Sequence, residues 1–474
     1  MLHRIIDRLC EFCNWLYSIQ IRVVANEMVH MLVEEDPLGK IFHEIRDPIH
    51  AFIKIDDDER AVLDSRPFQR LRCIHQLALT YLVYPGASHK RFEHSLGVME
   101  LASRVFDIVT HPNNLTPQIR ELFPILEIPE KRAYWKKVLR IAALCHDIGH
   151  LPFSHAAEKE LLPDGWGHER ITRELIFSSE MCRIWDNMTP HLNAEDVAKL
   201  AVGQRKAPDL TFDDLTAILS EIIVSDAFGV DRMDYLLRDS HHIGVAYGKF
   251  DHYRLIDTLR ILQPPPSGSE EERSKEPTLG VEVGGYQSAE ALLLARYFMF
   301  TQVYFHPVRR IYDIHLKDFL LEILPDGKYP IDIEDHLSFT DHEVLASLRK
   351  AAHDTSLPGS EHAGRIIKRQ HYKRLYERIP ADFQKNPLAA QLIKDAAESA
   401  FGKENVRYDN PSSKEEPIEF PVLMKDKSIE SSRSLPQTLL QISPVKMEYV
   451  FVSRECWDDA SRWLSDNKHD IINS

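Results

Sequence analysis

Apolar residues recur every three or four positions through most of this chain, which predicts a mostly α-helical fold. Leu2, Ile5, Ile6, Leu9, Phe12, Cys13 and Leu16 mark one or two amphipathic helices within residues 1–40. The pattern then changes. "IFHEIRDPIHAFIKID", from Ile41, alternates about Asp47-Pro48 and predicts a β-hairpin. Helical spacing resumes in "RAVLDSRPFQRLRCIHQLAL", read as one helix over 60–79, and continues to about residue 260. "TLRIL" and "TLGVEV" read as two strands joined by an exposed insertion over 263–278, rich in Pro, Ser and charge. Helices return from Ser288 to Leu324, and residues 330–405 look helical. Residues 406–420 read as a polar link. "FPVLM", "TLLQI" and "MEYVFVS" then suggest strands before a helix in "ECWDDASRWLSDN", a small α+β C-terminal module.

Composition narrows the class. Only 18 glycines in 474 residues agree with helices, and 43% hydrophobic with 28% charged residues is a globular balance. No apolar run is long enough to span a bilayer, and Arg4, Asp7, Arg8 and Glu11 interrupt any secretory signal, so a cytoplasmic location is expected. Six scattered cysteines suggest free thiols in a reducing compartment, with the lone Cys10/Cys13 pair read as packing. The formal charge of −15 argues against wrapping nucleic acid, but leaves room for a small anionic ligand in a basic pocket. Neither a P-loop nor a dinucleotide-binding glycine pattern occurs.

The chemistry concentrates in "LRIAALCHDIGHLPFSH", residues 139–155. An apolar helix ends there in His146-Asp147, followed by His150 and His155. His146 and His150 are four apart and share a face. His94 stands near the start of another helix beside Arg91, and Asp231 lies in a carboxylate-rich segment. A His/His/Asp/Asp set suits Mn, Fe, Ni, Zn or Mg at an open site better than a closed, thiolate-rich structural zinc site. Each piece alone has a plainer reading, the His-Asp pair as a helix-end ion pair and a buried His as a hydrogen-bonded core residue.

Taken in order, "FEHSLG", "CHDIGHLPFSH" and "VDRMDYLLRD" resemble the HD-domain metal-dependent phosphohydrolases. Within them the likeness is to the deoxynucleoside triphosphate triphosphohydrolases, both the vertebrate enzyme with an added sterile-alpha-motif domain and bacterial relatives without one. Shared wording covers roughly residues 43–315. It includes "RDPIH", "FQRLRCIHQL", "VYPGASHKRFEHSLGVMELA", "GWGHE", "VDRMDYLLRDSHHIG" and "ARY…YFHP". The resemblance implies an HD-domain helical core over 41–325, between the helical segment 1–40 and a helical and α+β region over 326–474.

It further implies that His94, His146, Asp147 and Asp231 hold one or two divalent ions. His150, His155 and His168 line the phosphates, with His155 as general acid and Glu158 orienting its ring. Arg91, Arg232 and Arg296 neutralise the polyphosphate. Gln76 and Asp239 meet the 3′-hydroxyl, Tyr304 lies beneath the sugar and excludes a 2′-hydroxyl, and Tyr235 belongs to the same pocket. Water then attacks the α-phosphorus, releasing a deoxynucleoside and inorganic triphosphate. Asp64, Gln69 and Arg72 match part of a regulatory nucleotide site, and a homo-oligomer (tetramer or hexamer) is expected. The plainer readings stay open beside these: arginines paired to Glu93, Asp234 or Asp239, Tyr304 packed in the core, His168 on an exposed loop, and Asp64 as a helix N-cap. So do other functions: another nucleotide as substrate, a nucleotide-sensing interaction protein, or a nuclease.

Overall fold

The computed structural model describes residues 42–153, 158–264, 276–413, 418–435 and 445–473. The expected N-terminal helices, the Cys10/Cys13 pair, His155, most of the insertion loop and "TLLQI" lie outside them. Strands β1 (His43–Asp47) and β2 (Ala51–Ile55) form the expected antiparallel hairpin, with Asp47 opposite Ala51. One Asp47 oxygen accepts the Ile49 and His50 amides at 2.8 and 2.9 Å, which closes the turn.

The single helix expected over 60–79 is divided into short pieces at 57–63, 66–70 and 71–73. Pro67 has no N–H to return to Leu63, so the first piece cannot continue and a second begins. Asp64 is the C-terminal cap of the first piece, not an N-cap.

Six helices build the core around the later site: α1 (Arg91–Val109), α2 (Pro129–Cys145), α3 (His168–Ile176), α4 (Ala194–Val202), α5 (Asp214–Val224) and α6 (Val230–Ile243). α1 packs against both α2 and α6, while α4 packs between α2 and α5. Leu96, Val98, Met99, Leu101 and Ala102 are buried on every side of α1, so this helix is a central post and not a surface stripe. Its Gly97 is required by close approach. A Cβ there would stand 1.9 Å from Asp234 Oδ1 and 2.4 Å from Arg238 Nη2.

Strands β3 (Leu259–Leu262) and β4 (Thr278–Glu282) flank the insertion and pair antiparallel, as expected. Helix α7 (Tyr286–Met299) runs into one wide π-helical turn, Phe300–Tyr304, before α8 (Pro307–Ile323). Helices α9 (Asp341–His353) and α10 (Ser360–Ile367) follow.

Two expectations fail after this point. A strand, β5 (Lys373–Glu377), interrupts the region expected to be helical, ahead of α11 (Ala389–Phe401). The expected polar link begins with β6 (Val406–Asp409). Both are recruited by a distant strand. After β7 (Pro421–Leu423) and β8 (Ile429–Ser431), the apolar β9 (Tyr449–Val452) pairs antiparallel with β5 on one side and β6 on the other. Helices α11 and α12 (Trp457–Asn473) cover this sheet with a small core of their own. β7 and β8 instead extend the first sheet, in the order β3-β4-β7-β8 with β4 and β7 parallel. The main core therefore draws on Val344, Leu348, Ile366, Phe420 and Val422 as well as on the earlier helices. Among the described residues, no helix is long and apolar enough to cross a membrane.

Candidate active site

Three helix ends converge on one point. Apolar residues drive α2 into the core, and its C-terminal cap is His146, with Asp147 next in the chain. His94 sits in the first turn of α1, and Asp231 in the first turn of α6. His94 Nε2 is 3.1 Å from Asp231 Oδ1 and 3.8 Å from Asp147 Oδ2. His146 Nε2 is 3.4 Å from Asp147 Oδ1 and 3.7 Å from Asp231 Oδ1. His146 Nδ1 donates to the Ala143 carbonyl at 2.8 Å, so the Nε2 lone pair is the end that points into the cluster. That Nε2 is buried and has no hydrogen-bond partner.

The electrostatics are those of a cation site. Burial opposes charge on His94, but hydrogen bonds to Asp231 and Asp234 outweigh it and raise its pKa to about 10. Asp231 is also penalised by burial, yet His146 and His94 hold it well below the usual carboxylate range. The unpartnered Nε2 of His146, two aspartates held ionised, and His94 Nε2, whose proton an ion would displace, fit a divalent cation. Ligand atoms of His94, His146 and Asp231 already lie within 4.8 Å of one another.

Sequence reasoning missed the layer behind these ligands. His94 Nδ1 donates to Asp234 Oδ2 at 2.9 Å, which turns Nε2 toward the cluster. Asp234 also accepts from His50 Nε2 at 2.8 Å and from Arg238 Nε and Nη2 at 2.8 and 3.0 Å. Arg238 Nη1 reaches Asp47 at 2.8 Å, tying the hairpin turn to the site. Asp234 and Arg238 are fully buried. The available signal was spacing, because Asp231, Asp234 and Arg238 fall at i, i+3 and i+7 on one face of α6.

The predicted phosphate residues are brought together, with different partners than expected. Arg91 Nη1 pairs with Asp147 Oδ2 at 2.5 Å, and His150 Nε2 donates to Asp147 Oδ1 at 3.0 Å. Burial and the Arg91 charge hold His150 well below its ordinary pKa, so it is a neutral donor. Its ring stacks on His168 with centroids 3.9 Å apart. His168 is no exposed loop residue. Its Nδ1 bonds Glu158 at 2.8 Å, and although burial opposes the charge, the Glu158 hydrogen bond raises its pKa. Glu158 thus engages the His168 ring, while its expected role beside His155 falls on a residue outside the described ones.

Arg232 is paired to Asp226 at 2.5 Å. Arg296 lies 5.5 Å from the Phe300 ring centroid. The arginine partners weighed from sequence are otherwise engaged: Asp234 holds Arg238, and Asp239 accepts from His89 Nε2 at 2.8 Å and from the Tyr304 hydroxyl at 2.7 Å. Glu93 accepts the Lys90 amide at 2.8 Å. Tyr235 and Tyr304 meet edge to face, centroids 6.1 Å apart, beside the π-helical turn. The candidate regulatory residues stay local. Arg72 bonds Gln69 at 2.9 Å and lies 3.4 Å from the Phe92 centroid, while Asp64 is exposed near Arg60.

A cavity of about 990 Å³ opens from the cluster, lined by His146, Asp147, Asp231, His168 and Arg296. His146 Nε2, in this lining, is buried without a hydrogen-bond partner, as are Gln76 Oε1 and Arg91 Nε outside it. Glu158, His168 and Glu169 form a second group with metal-ligand spacing. Lys206 already pairs with Glu169 at 2.6 Å, and a charged His168 is better suited to give a proton than to bind an ion.

Two histidines and two aspartates are brought together by helix ends, with His146, Asp147 and Asp231 lining the cavity, in a helical arrangement that could hold a metal ion. The chain belongs to the HD-domain family: residues 91–239 match the HD domain and residues 250–406 the HD associated region. An uncharacterized protein of Methanocaldococcus jannaschii is 35% identical over 308 residues, 64% of this chain and 54% of that protein. The deoxynucleoside triphosphate triphosphohydrolase SAMHD1 of Gallus gallus is 31% identical over 393 residues, 76% of this chain and 59% of that protein. This chain thus spans little more than half the length of these curated relatives. The crystal structure of a hypothetical protein from Aquifex aeolicus superposes with a TM-score of 0.72 at 31% identity, covering 90% of this chain and 100% of that one.

Proposed function

We propose that this protein hydrolyses deoxynucleoside triphosphates to a deoxynucleoside and inorganic triphosphate. The observation that carries the reading is the convergence of His94, His146, Asp147 and Asp231, the last three lining a cavity that His168 and Arg296 also line. These four would hold the divalent ion. When bound, such an ion supplies a Lewis acid for a phosphoryl oxygen and an activator of water.

The protein's own groups do the rest. Arg91 and Arg296 neutralise the phosphates and His150 orients them as a neutral donor, with Arg91 exchanging part of its Asp147 contact for substrate. His168 is the proton donor to the leaving 5′-oxygen. Glu158 holds its Nδ1, so the proton to be transferred sits on Nε2. The Asp239–Tyr304 pair and Gln76 receive the sugar, and the Tyr304 ring limits space at its 2′ position. The reading extends to a homo-oligomer, which light scattering checks.

Comparing the four dNTPs with the four NTPs and a cyclic nucleotide, at equal metal, tests the substrate class. Cleavage confined to dNTPs is expected, and Tyr304→Ala should admit NTPs. Cleavage of ribonucleotides alone would overturn the sugar assignment. His168→Gln is expected to lower kcat about 10²–10⁴-fold at unchanged metal content. Because Glu158 raises the pKa of His168, its proton is retained as pH climbs. Glu158→Gln should therefore shift the alkaline limb of the kcat profile to lower pH. An unmoved limb would remove His168 from the acid role.

A further inference from the structure

One buried carboxylate outside the HD match bonds two segments that lead to candidate site residues, the chain beyond His150 and the chain before Gln76. Asp341, the first residue of α9, belongs to the HD associated region and is fully buried. Its own helix does not use it, because Thr340 and Glu343 form the capping box. Asp341 Oδ1 accepts the Phe153 amide at 2.8 Å. Oδ2 accepts the His75 amide at 2.7 Å and His75 Nδ1 at 2.6 Å. The opposite ring nitrogen of His75 accepts from Lys90 Nζ at 2.8 Å.

These contacts bear on strained and functional chain. Phe153, three residues beyond His150, has φ of +52°, a conformation a bulky residue keeps only when its surroundings hold it. The His75 ring lies nearly parallel to the Phe153 ring, 9° apart, with centroids at 6.2 Å. Residues 74–76 and 89–91 are paired, Gln76 N to His89 O and Arg91 N to Ile74 O, both at 3.0 Å. The residues next to His75 and Lys90 are therefore Gln76 and Arg91, each with a buried polar atom lacking a protein partner.

We propose that Asp341 is a positioning residue. It locks the backbone beyond His150 and the pair of segments carrying Gln76 and Arg91 into one frame, so the HD associated region sets the geometry of the substrate rim. The kinetic part of this inference rests on the proposed reaction; the structural part does not.

The test uses the full chain loaded with Mn(II). In Asp341→Asn, hydrogen exchange read by mass spectrometry should rise at least tenfold in peptides covering 146–153 and 74–91. Peptides from the body of α1 and α6, and the Mn(II) content, should stay at wild-type values. His75→Gln should loosen 74–91 while sparing 146–153, and it serves if Asp341→Asn does not fold. With dGTP, kcat/KM of Asp341→Asn should fall about a hundredfold, the scale of a misplacement near 1 Å. Exchange that rises evenly along the chain, or only in α9, with kcat/KM unchanged, would overturn the proposal. If wild type leaves dGTP intact while the exchange pattern appears, the positioning role stands and the reaction assignment falls.

Discussion

His146→Ala and Asp231→Ala are each expected to lose bound metal and turnover together. Each removes one of three ligand atoms that lie within 4.8 Å of one another. His146 is the cleaner case. Its Nδ1 is committed to the Ala143 carbonyl and its Nε2 has no partner in the protein, so the side chain contributes to the cluster chiefly by presenting that lone pair. An ion of this kind contributes several kcal/mol to the transition state, so its loss should lower kcat/KM by about three decades or more. Elemental analysis and initial rates on the same preparation check the pairing. A variant that keeps stoichiometric metal would remove that residue from the ligand set.

Asp234→Ala is expected to cost about 3–5 kcal/mol of folding stability, the scale of breaking a buried ion pair. Asp234 takes both the Nε and Nη2 of Arg238, and all three groups meeting there, with His50, are sealed from water. Removal leaves the guanidinium with Asp47 as its counter-charge, at 2.8 Å, and cuts His50 and His94 loose. Asp234→Asn keeps the shape and most of the packing. Its effect should appear mainly as metal affinity, weakened about 10–100-fold, because the His94 tautomer is then less firmly set. Denaturant unfolding of the metal-free chain reads the first effect, and a metal titration the second. An Asp234→Ala protein as stable as wild type, with unchanged metal affinity, would show that His94 orients itself without this carboxylate.

Legibility from sequence followed distance along the chain. The β1–β2 hairpin, the long apolar α2 ending at His146 and the β3–β4 pair rest on partners close in the chain, within about two dozen residues, and all three appear where the pattern placed them. β5 was not legible. "KRLYE" is a polar pentapeptide with a bulge between Arg374 and Tyr376, and it is a strand because β9, more than 70 residues later, pairs with it. The four residues that converge, His94, His146, Asp147 and Asp231, were readable as an ordered wording. The partners of Arg91, Arg232 and Glu158 were not, because a side chain's partner depends on which of several nearby charges the packing brings closest. Nor was the partner of Asp341, which lies 266 residues from His75. Gly97 shows the reverse inference: only in the structure does its lack of a side chain become the space that Asp234 and Arg238 fill.

The proposed reaction is attack by water at the α-phosphorus with departure of the 5′-oxygen. Hydrolysis of dGTP in ¹⁸O-enriched water, followed by mass spectrometry of both products, tests it most directly. The predicted products are unlabelled deoxyguanosine and inorganic triphosphate carrying one ¹⁸O on a terminal phosphorus, formed only by metal-loaded protein. Deoxyguanosine monophosphate with pyrophosphate, or deoxyguanosine diphosphate with phosphate, would contradict it, as would dGTP that is bound and recovered intact.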